Sequence, residues 1–413
     1  MKRLLDWLCP MLFVFAFVAC TSDENDIKVE EVDEVITELS LTDSESRAAK
    51  ELFEFDINFF KAVVAKEQTN SNVVCSPTSA AILISLIANA ADDELANDIY
   101  TALGSSNIAD LNALSSKYMR ALPNLDSDVK FASTNSVWYD SRYTINPAFS
   151  SVAKKYYLAD CFKRDIQSKK VEVVNEINEW AANETNGVID RIIDDLPADV
   201  ASILANALYF KGPWAVPFET ENTEEMAFYG KNGTSTVQMM FQTGKQFCIS
   251  YKEFAIVRKQ IANNHYEAIF ILPSDDIDSF IAESDFDKLL NHTGTPPTEC
   301  ELHLPKFKYE PSSDLHLNDA FSALGIKNLD KYAKTPMFVE NVTANNELYQ
   351  KVGIEFNESG AEGAAVSWGM WATGSGNHGE PKVEVIKFDH PFVFFIREVS
   401  TGAVLFAGKI SDL

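Results

Sequence analysis

Apolar residues in the first half of the chain recur every three to four positions, which is the spacing of helices that bury one face. The stretch at 79–90 is almost wholly apolar and predicts a buried helix. A Thr-Asp-Ser-Glu segment at 42–45 has the spacing of a capping box and precedes the first predicted helix, 48–65. The helices predicted in the first half span 48–65, 79–90, 92–103 and 171–184, and one more is predicted in the second half, at 315–324.

Short apolar or alternating runs, bounded by Gly, Pro or Ser, predict β-strands that are concentrated in the second half. The last two runs flank Ser400-Thr401-Gly402 and predict a hairpin. Because strands and helices do not alternate regularly, the pattern predicts an α+β fold of mixed helices with large, mainly antiparallel β-sheets. The predicted strands span 72–75, 131–139, 203–210, 266–272, 300–307, 347–356, 391–398 and 403–408.

A long segment rich in Gly and Ala connects the strand at 347–356 to the one at 391–398. From Ser359 to Pro381 it contains no Lys or Arg. A connection of more than about 15 residues inside a compact domain is uncommon and usually functional. Such a segment is typical of a lid, a binding loop or a bait for a protease.

The 413-residue chain is 46% hydrophobic, enough for a sizeable core, and carries a net charge of −26. This charge disfavours nucleic acid and anionic membrane surfaces as partners, since both are bound through patches of Lys and Arg. The acidic residues are concentrated near the start, where 21–46 hold ten of them and one Lys. We therefore expect a disordered tether over 21–46 and one folded domain over 47–413.

Residues 1–20 have the pattern of an export signal, with Lys2 and Arg3 before a short apolar run that ends at Cys20. This segment resembles a bacterial lipoprotein signal, in which Cys20 becomes the lipidated first residue. The acidic residues that follow resemble the tag of surface lipoproteins. We expect a monomer anchored by its lipid to the bacterial outer membrane and exposed at the surface. The alternative is an ordinary secretory signal and a secreted or periplasmic protein.

The remaining candidate chemistry is sparse. Cys75, Cys161, Cys248 and Cys300 are widely spaced, and buried free thiols are favoured over any of their three possible disulfide pairings. No metal-binding or phosphate-binding motif occurs in the sequence, so no cofactor or metal is expected. Ser367 lies in a segment like a nucleophile elbow, but it lacks the strand before it and the helix after it. The sequence therefore does not predict an enzyme.

Several separate motifs, in order along 47–413, resemble those of the serpins, which are serine protease inhibitors. The longest match is Asn206-Ala-Leu-Tyr-Phe-Lys-Gly-Pro-Trp214. The others are Asn72-Val-Val-Cys-Ser-Pro-Thr-Ser79, Trp180 with Thr185-Asn-Gly-Val-Ile189, Leu304-Pro-Lys-Phe307, Glu358-Ser-Gly-Ala-Glu-Gly-Ala-Ala365, Phe388-Asp-His-Pro-Phe392 and Thr401-Gly-Ala-Val-Leu-Phe-Ala-Gly408.

The resemblance implies the serpin fold and an inhibitor that acts as a suicide substrate. A protease attacks the exposed reactive-centre loop and forms an acyl-enzyme, and the cut loop then inserts into the large sheet and distorts the protease. The reactive bond implied is Gly374–Ser375, with Thr373, Ala372, Trp371 and Met370 as alternatives. The implied hinge of the loop comprises Glu358, Gly360, Ala361, Glu362, Gly363, Ala364, Ala365 and Ser367.

Strand parity agrees with insertion, because alternate side chains of a strand face the core. Along the hinge, the inward set is Ala361, Gly363, Ala365 and Ser367, and all of these are small. The resemblance also implies an ion pair of Lys306 with Glu358 that holds the base of the loop out of the sheet. It further implies a buried polar cluster, the shutter, which consists of Ser76, Ser79, Asn206 and Gln350.

Loop composition also restricts the target. Without Lys or Arg, the loop would leave the pocket carboxylate of a trypsin-like protease unpaired. We therefore expect elastase-like or subtilisin-like targets, with cysteine proteases possible, and host or competitor serine proteases as the partners. The alternative is a non-inhibitory binding protein with a serpin fold, whose loop is cleaved only as a substrate.

Overall fold

The computed structural model describes residues 37–67, 69–105, 107–185, 187, 189, 191–196, 200–292, 297–309, 315–327, 329, 337–340, 346–361 and 383–413. The predicted signal segment, most of the predicted tether and the predicted reactive bond lie outside these residues. No helix in the described ranges is long and apolar enough to cross a membrane.

The helices of the described chain lie mostly before residue 200. They are α1 (Asp43–Lys66), α2 (Pro77–Ala88), α3 (Asp93–Ala102), α4 (Ile108–Ala121), α5 (Pro147–Tyr157), α6 (Lys170–Glu184), α7 (Ile277–Glu283), α8 (Phe286–Leu290) and α9 (Asn318–Ala323). Two 3₁₀ turns occur at Leu122–Asn124 and Thr220–Asn222.

The strands lie mostly after residue 200. They are β1 (Val73–Cys75), β2 (Lys130–Asp140), β3 (Ala159–Arg164), β4 (Ser202–Pro213), β5 (Glu224–Gly230), β6 (Gly233–Ser250), β7 (Phe254–Ile261), β8 (Tyr266–Pro273), β9 (Thr298–Pro305), β10 (Phe307–Tyr309), β11 (Leu315–His316), β12 (Asn346–Val352), β13 (Ile354–Asn357), β14 (Gly360–Ala361), β15 (Glu384–Lys387), β16 (Phe392–Glu398) and β17 (Val404–Ile410).

Two large sheets organise these strands. A nine-stranded sheet has the order β1-β17-β16-β8-β7-β6-β9-β15, with β5 paired to β6. An eight-stranded sheet has the order β10-β13-β14-β4-β12-β11, with β2 paired to β4 and β3 paired to β2. Most pairs are antiparallel, and the parallel ones are β12 with β4, β2 with β3, and β15 with β9. The predicted α+β class is confirmed.

The hydrophobic core follows from the pattern of the sequence. Every residue of α2 is buried, as its apolar composition predicts. The α1 helix buries its apolar face on α2 and on the nine-stranded sheet, where Phe60 packs edge-on against Phe395 at 5.4 Å between ring centroids. A second cluster lies between α6 and the eight-stranded sheet, and there Trp138 stacks on Phe162 at 4.2 Å. Cys75, Cys161, Cys248 and Cys300 are free and buried, as expected.

Two of the boundaries that differ from the predictions have a clear local cause. The helix predicted over 315–324 begins only at Asn318, because the two residues of β11 pair with β12 instead. The α1 helix begins at Asp43, inside the predicted tether. Its capping box explains the early start, since Thr42 Oγ1 accepts a hydrogen bond from the Glu45 N–H at 3.3 Å and the Glu45 carboxylate accepts one from the Thr42 N–H at 2.7 Å.

Candidate functional site

The chain that leads into the predicted reactive loop runs along β12 and β13, beside β4. Over β12 it pairs directly and in parallel with β4, in seven registered pairs from Asn346–Ser202 to Val352–Leu208. At the far end of the sheet, which we call the hinge end, β14 lies between β13 and β4. Gly360 and Ala361, which follow the turn at 357–359, therefore already form a strand in the middle of the sheet.

The fit of β14 depends on side-chain size. Ala361 pairs with Gly212 on one side and Phe356 on the other, and its methyl group is fully buried. A Cβ atom at Gly360 would overlap the carbonyl oxygen of Gly212 and would lie 2.7 Å from Cα of Pro213. Since both obstacles are backbone atoms, only glycine fits at 360 without moving β4.

The turn that precedes β14 is held by the acidic residue predicted from the hinge motif. Lys306 Nζ lies 3.1 Å from Glu358 Oε2, and Thr223 Oγ1 donates to Glu358 Oε1 at 3.0 Å. The backbone N–H of Phe218 donates to the Glu358 carbonyl at 2.9 Å. Burial raises the pKa of Glu358, but the hydrogen bond to its own backbone and those from Lys306 and Thr223 outweigh this and lower the pKa. The ion pair of Lys306 with Glu358 is formed, as the resemblance implied, and β14 follows it directly. Its role in holding the rest of the loop out of the sheet stays a prediction.

Trp214 fixes the same turn from the other side. Its backbone N–H donates to the Ser359 carbonyl at 2.8 Å, and its indole Nε1–H donates to the Asn357 carbonyl at 2.9 Å. The indole ring stacks on Phe356, with 5.8 Å between centroids and 8° between planes. Trp214 thus links the end of β4 to both residues on either side of Glu358.

The four shutter residues are brought together at the start of α2, beneath the directly paired part of the sheet. The Ser76 N–H donates to Gln350 Oε1 at 2.8 Å, and Gln350 Nε2 donates back to the Ser76 carbonyl at 3.0 Å. Ser79 Oγ donates to Asn206 Oδ1 at 2.7 Å. Gln350 and Asn206 are fully buried and are partners in the β12–β4 register. The cluster therefore joins α2 to the two strands that loop insertion would separate.

Sequence reasoning missed a fifth member of this cluster. Asn206 Nδ2 donates to Asn135 Oδ1 at 3.0 Å, and Asn135 Nδ2 donates to the Tyr157 carbonyl at 3.0 Å. Asn135 is buried at 2% exposure on β2. A buried amide needs hydrogen-bond partners, so an Asn inside the strand-like run 131–139 was the signal that could have identified it.

The reactive-bond residues and the later hinge residues lie outside the described residues. They are Glu362, Gly363, Ala364, Ala365, Ser367, Met370, Trp371, Ala372, Thr373, Gly374 and Ser375. The same applies to Cys20. The structure describes the chain again from Val383, and β15 begins at the next residue. This strand pairs in parallel with β9 in the nine-stranded sheet. The two ends of the loop are thus held by different sheets.

A family model for the serpins, described as serine protease inhibitors, matches residues 50–413. The chain belongs to the serpin family. This serpin is 31% identical to Serpin-ZX of Arabidopsis thaliana over 380 residues, which cover 86% of this chain and 96% of that protein.

Solved structures of serpins show the same fold. The thermophilic serpin tengpin in its native state matches with a TM-score of 0.80 and 26% identity, covering 94% of this chain and 98% of that one. AtSerpin1 of Arabidopsis, in its native stressed conformation, matches with a TM-score of 0.78 and 27% identity, covering 90% and 99%. The serpin is a protease inhibitor and not an enzyme.

Proposed function

We propose that this serpin traps its target protease by inserting the cut reactive loop into the eight-stranded sheet, between β4 and β12. The observation that carries the proposal is β14, which already occupies this path at the hinge end. Residues that continue from Ala361 along the same line would run antiparallel to both neighbouring strands.

Insertion replaces one pairing between two strands with two new pairings. The parallel β12–β4 ladder of seven registered pairs opens, and the inserted segment forms an antiparallel ladder with each of the separated strands. Parallel pairing is slightly less stable per residue than antiparallel pairing. Each additional backbone hydrogen bond contributes roughly 0.5–1.5 kcal/mol net. The uncut chain can make this exchange only if β15 first detaches from β9, so cleavage of the loop is the faster route to the more stable packing.

The composition of the loop supports a target that accepts small or apolar residues. Between Ser359 and Pro381 no Lys or Arg is available for a trypsin-like pocket. We propose cleavage at Gly374–Ser375 or one of the four preceding bonds, from Met370 on, by an elastase-like or subtilisin-like protease. A papain-like cysteine protease also forms an acyl-enzyme that this mechanism would trap.

The test is to mix the full-length chain with elastase, subtilisin, chymotrypsin and trypsin. We expect an SDS-resistant covalent complex with elastase or subtilisin and a released C-terminal peptide that starts near Ser375, measured by mass spectrometry. A protease with a chemically blocked active site is the control and should give neither product. Clean cleavage by every protease without a covalent complex would show that the loop is only a substrate.

A matched variant separates trapping from cleavage. In Ala361→Asp the buried methyl group of β14 is replaced by a carboxylate, which has no partner in the sheet and is costly to bury. The loop should still be cut at the wild-type bond, but the covalent complex should be lost. Equal amounts of complex in both proteins would contradict insertion along β14.

We further propose that the inhibitor is a surface-anchored monomer, lipidated at Cys20, which protects a bacterium from host or competitor proteases. The support is the sequence pattern of residues 1–20 and the acidic segment 21–46. Radiolabelled palmitate should be incorporated into the wild-type chain and into Cys9→Ala, but not into Cys20→Ala. Equal labelling of the two variants would refute the anchor.

A further inference from the structure

A buried lysine that has no carboxylate partner among the described residues lies next to the hinge. Lys259 on β7 is 5% exposed. Its Nζ donates to Gln242 Oε1 at 2.7 Å and to the Val216 carbonyl at 3.1 Å. The same nitrogen lies 4.3 Å from the centroid of Phe218 and 5.3 Å from that of Trp214. Buried lysines are rare unless they are paired with an acid.

Most of these contacts belong to one short stretch of chain, 214–218, which we call the brace segment. The brace segment makes three hydrogen bonds to the hinge turn at 357–359. Two come from Trp214, at 2.8 and 2.9 Å, and one comes from the Phe218 N–H, at 2.9 Å. Lys259 therefore contacts the segment that holds the turn, without touching the turn itself.

No charged group in the part of the chain that the structure describes compensates the charge of the lysine. Burial lowers the pKa of Lys259 to about 7, and burial is the only cause of the shift. Glu267 is bound to Arg258 and Arg397, and Glu358 is bound to Lys306. The other charged residues on β7 and on its paired strands β6 and β8 are Arg258, Lys245 and Glu267. Those next to the brace segment in sequence are Lys211, Glu219 and Glu221, and those at the hinge turn are Glu358 and Lys306.

We propose that Lys259 is a positioning residue for loop insertion, and that its protonation loosens the brace segment and speeds insertion. The proposal rests on the trapping function proposed above. A neutral amine can keep both hydrogen bonds while remaining buried. An ammonium group in the same place has only two oxygen acceptors and two ring faces instead of its full shell of water, and it regains that water only when the aromatic rings move away.

The direction of the effect follows from proton linkage. A group with a lowered pKa in the closed arrangement binds its proton more strongly in any arrangement that hydrates it. Acid therefore favours the loosened brace, and alkali favours the closed one. The size of the effect depends on how much higher the pKa of Lys259 is in the loosened arrangement than in the closed one. For each pKa unit of that difference, insertion well below pH 7 should be about tenfold faster than insertion at alkaline pH.

The test measures spontaneous loop insertion in the full-length chain, without any protease. The chain is warmed at a series of pH values from about 5.5 to 9, and the inserted form is followed on native gels and by its raised thermal stability. We expect the wild-type rate to be at least about threefold higher at the acidic end, which corresponds to half a pKa unit.

Two substitutions fix the charge state of the side chain. Lys259→Met keeps an apolar stem of similar length and removes the charge, so its rate should be low and independent of pH. Lys259→Arg keeps a charge at every pH in the series, so its rate should be high and also independent of pH. If either variant fails to fold, the other still tests the proposal, because both remove the pH dependence.

A matched control is Lys409→Met. Lys409 on β17 is also fully buried, but its Nζ lies 2.9 Å from a carboxylate oxygen of Asp278. Its replacement should lower stability and leave the slope of insertion rate against pH unchanged. A flat wild-type profile, or a wild-type slope in the Met variant, would overturn the role of Lys259 while leaving trapping intact. Absence of insertion at every pH, together with absence of a covalent complex, would overturn the trapping function itself.

Discussion

Replacement of Gly360 by Ala tests the path of the reactive loop most directly. The added methyl group would overlap the Gly212 carbonyl oxygen and would lie 2.7 Å from Pro213 Cα, whereas unstrained carbon–carbon contacts are about 3.5–4.0 Å. The strands must then separate by about 1 Å, or β14 must leave the sheet. Once β14 has left the sheet in the uncut variant, insertion must force residue 360 back between β13 and β4, and overpacking of this kind costs about 1–3 kcal/mol. Insertion should slow by about fivefold to a hundredfold, since each 1.4 kcal/mol is a factor of ten.

The assay is the number of inhibitor molecules consumed per protease molecule inactivated. Slower insertion gives the acyl-enzyme time to hydrolyse, so this number should rise at least severalfold in Gly360→Ala. Gly353→Ala is the matched control, because a Cβ there meets only the Tyr309 carbonyl oxygen, at an ordinary 3.7 Å. An unchanged ratio in Gly360→Ala, or an equal rise in both variants, would refute the argument that β14 marks the path of insertion.

Two further predictions concern buried polar groups outside the hinge. Burial raises the pKa of Asp56 to about 8 from an ordinary 3.8, so the folded chain holds a proton that the unfolded chain releases. The free energy of unfolding should therefore fall as pH rises from about 4 to 8, by at most about 1.4 kcal/mol per pH unit. The denaturant midpoint of Asp56→Asn should change less with pH than that of the wild type. An equal dependence on pH in both proteins would contradict this. Gln350→Leu leaves the Ser76 N–H without its acceptor at 2.8 Å, whereas the Ser76 carbonyl keeps the hydrogen bond from the Ala80 N–H at 3.0 Å. Thermal unfolding should show a loss of about 1–3 kcal/mol, and a loss below about 0.5 kcal/mol would show that water replaces the amide.

The sequence predicted the elements whose pattern is local. The almost wholly apolar 79–90 stretch became α2, shifted by two residues because Pro77 is well suited to the first turn of a helix. The hairpin around Ser400-Thr401-Gly402 became β16 and β17, with a left-handed φ of 80° at Gly402. The shutter residues and the pair of Lys306 with Glu358 were identified from motifs, and the structure places both sets within hydrogen-bonding distance.

Features set by tertiary contacts could not be predicted in this way. Nothing local in Gly360-Ala361 indicates that these residues form a strand, because the decisive factor is the gap between β13 and β4. Lys259 is the middle one of three consecutive polar residues in β7, and a charged residue in such a run usually faces water. Its burial depends on the brace segment, which lies more than 40 residues away in the sequence and covers it only in the fold.

The nine-stranded sheet has a consequence for how the chain is made. Its short β1 strand, at Val73–Cys75, pairs with β17, in register from Val73 with Lys409 to Cys75 with Ala407. More than 300 residues separate these partners, so β1 must wait for nearly the whole polypeptide to be synthesised before it can pair. Such non-local pairing folds slowly and leaves strand edges exposed in the interval.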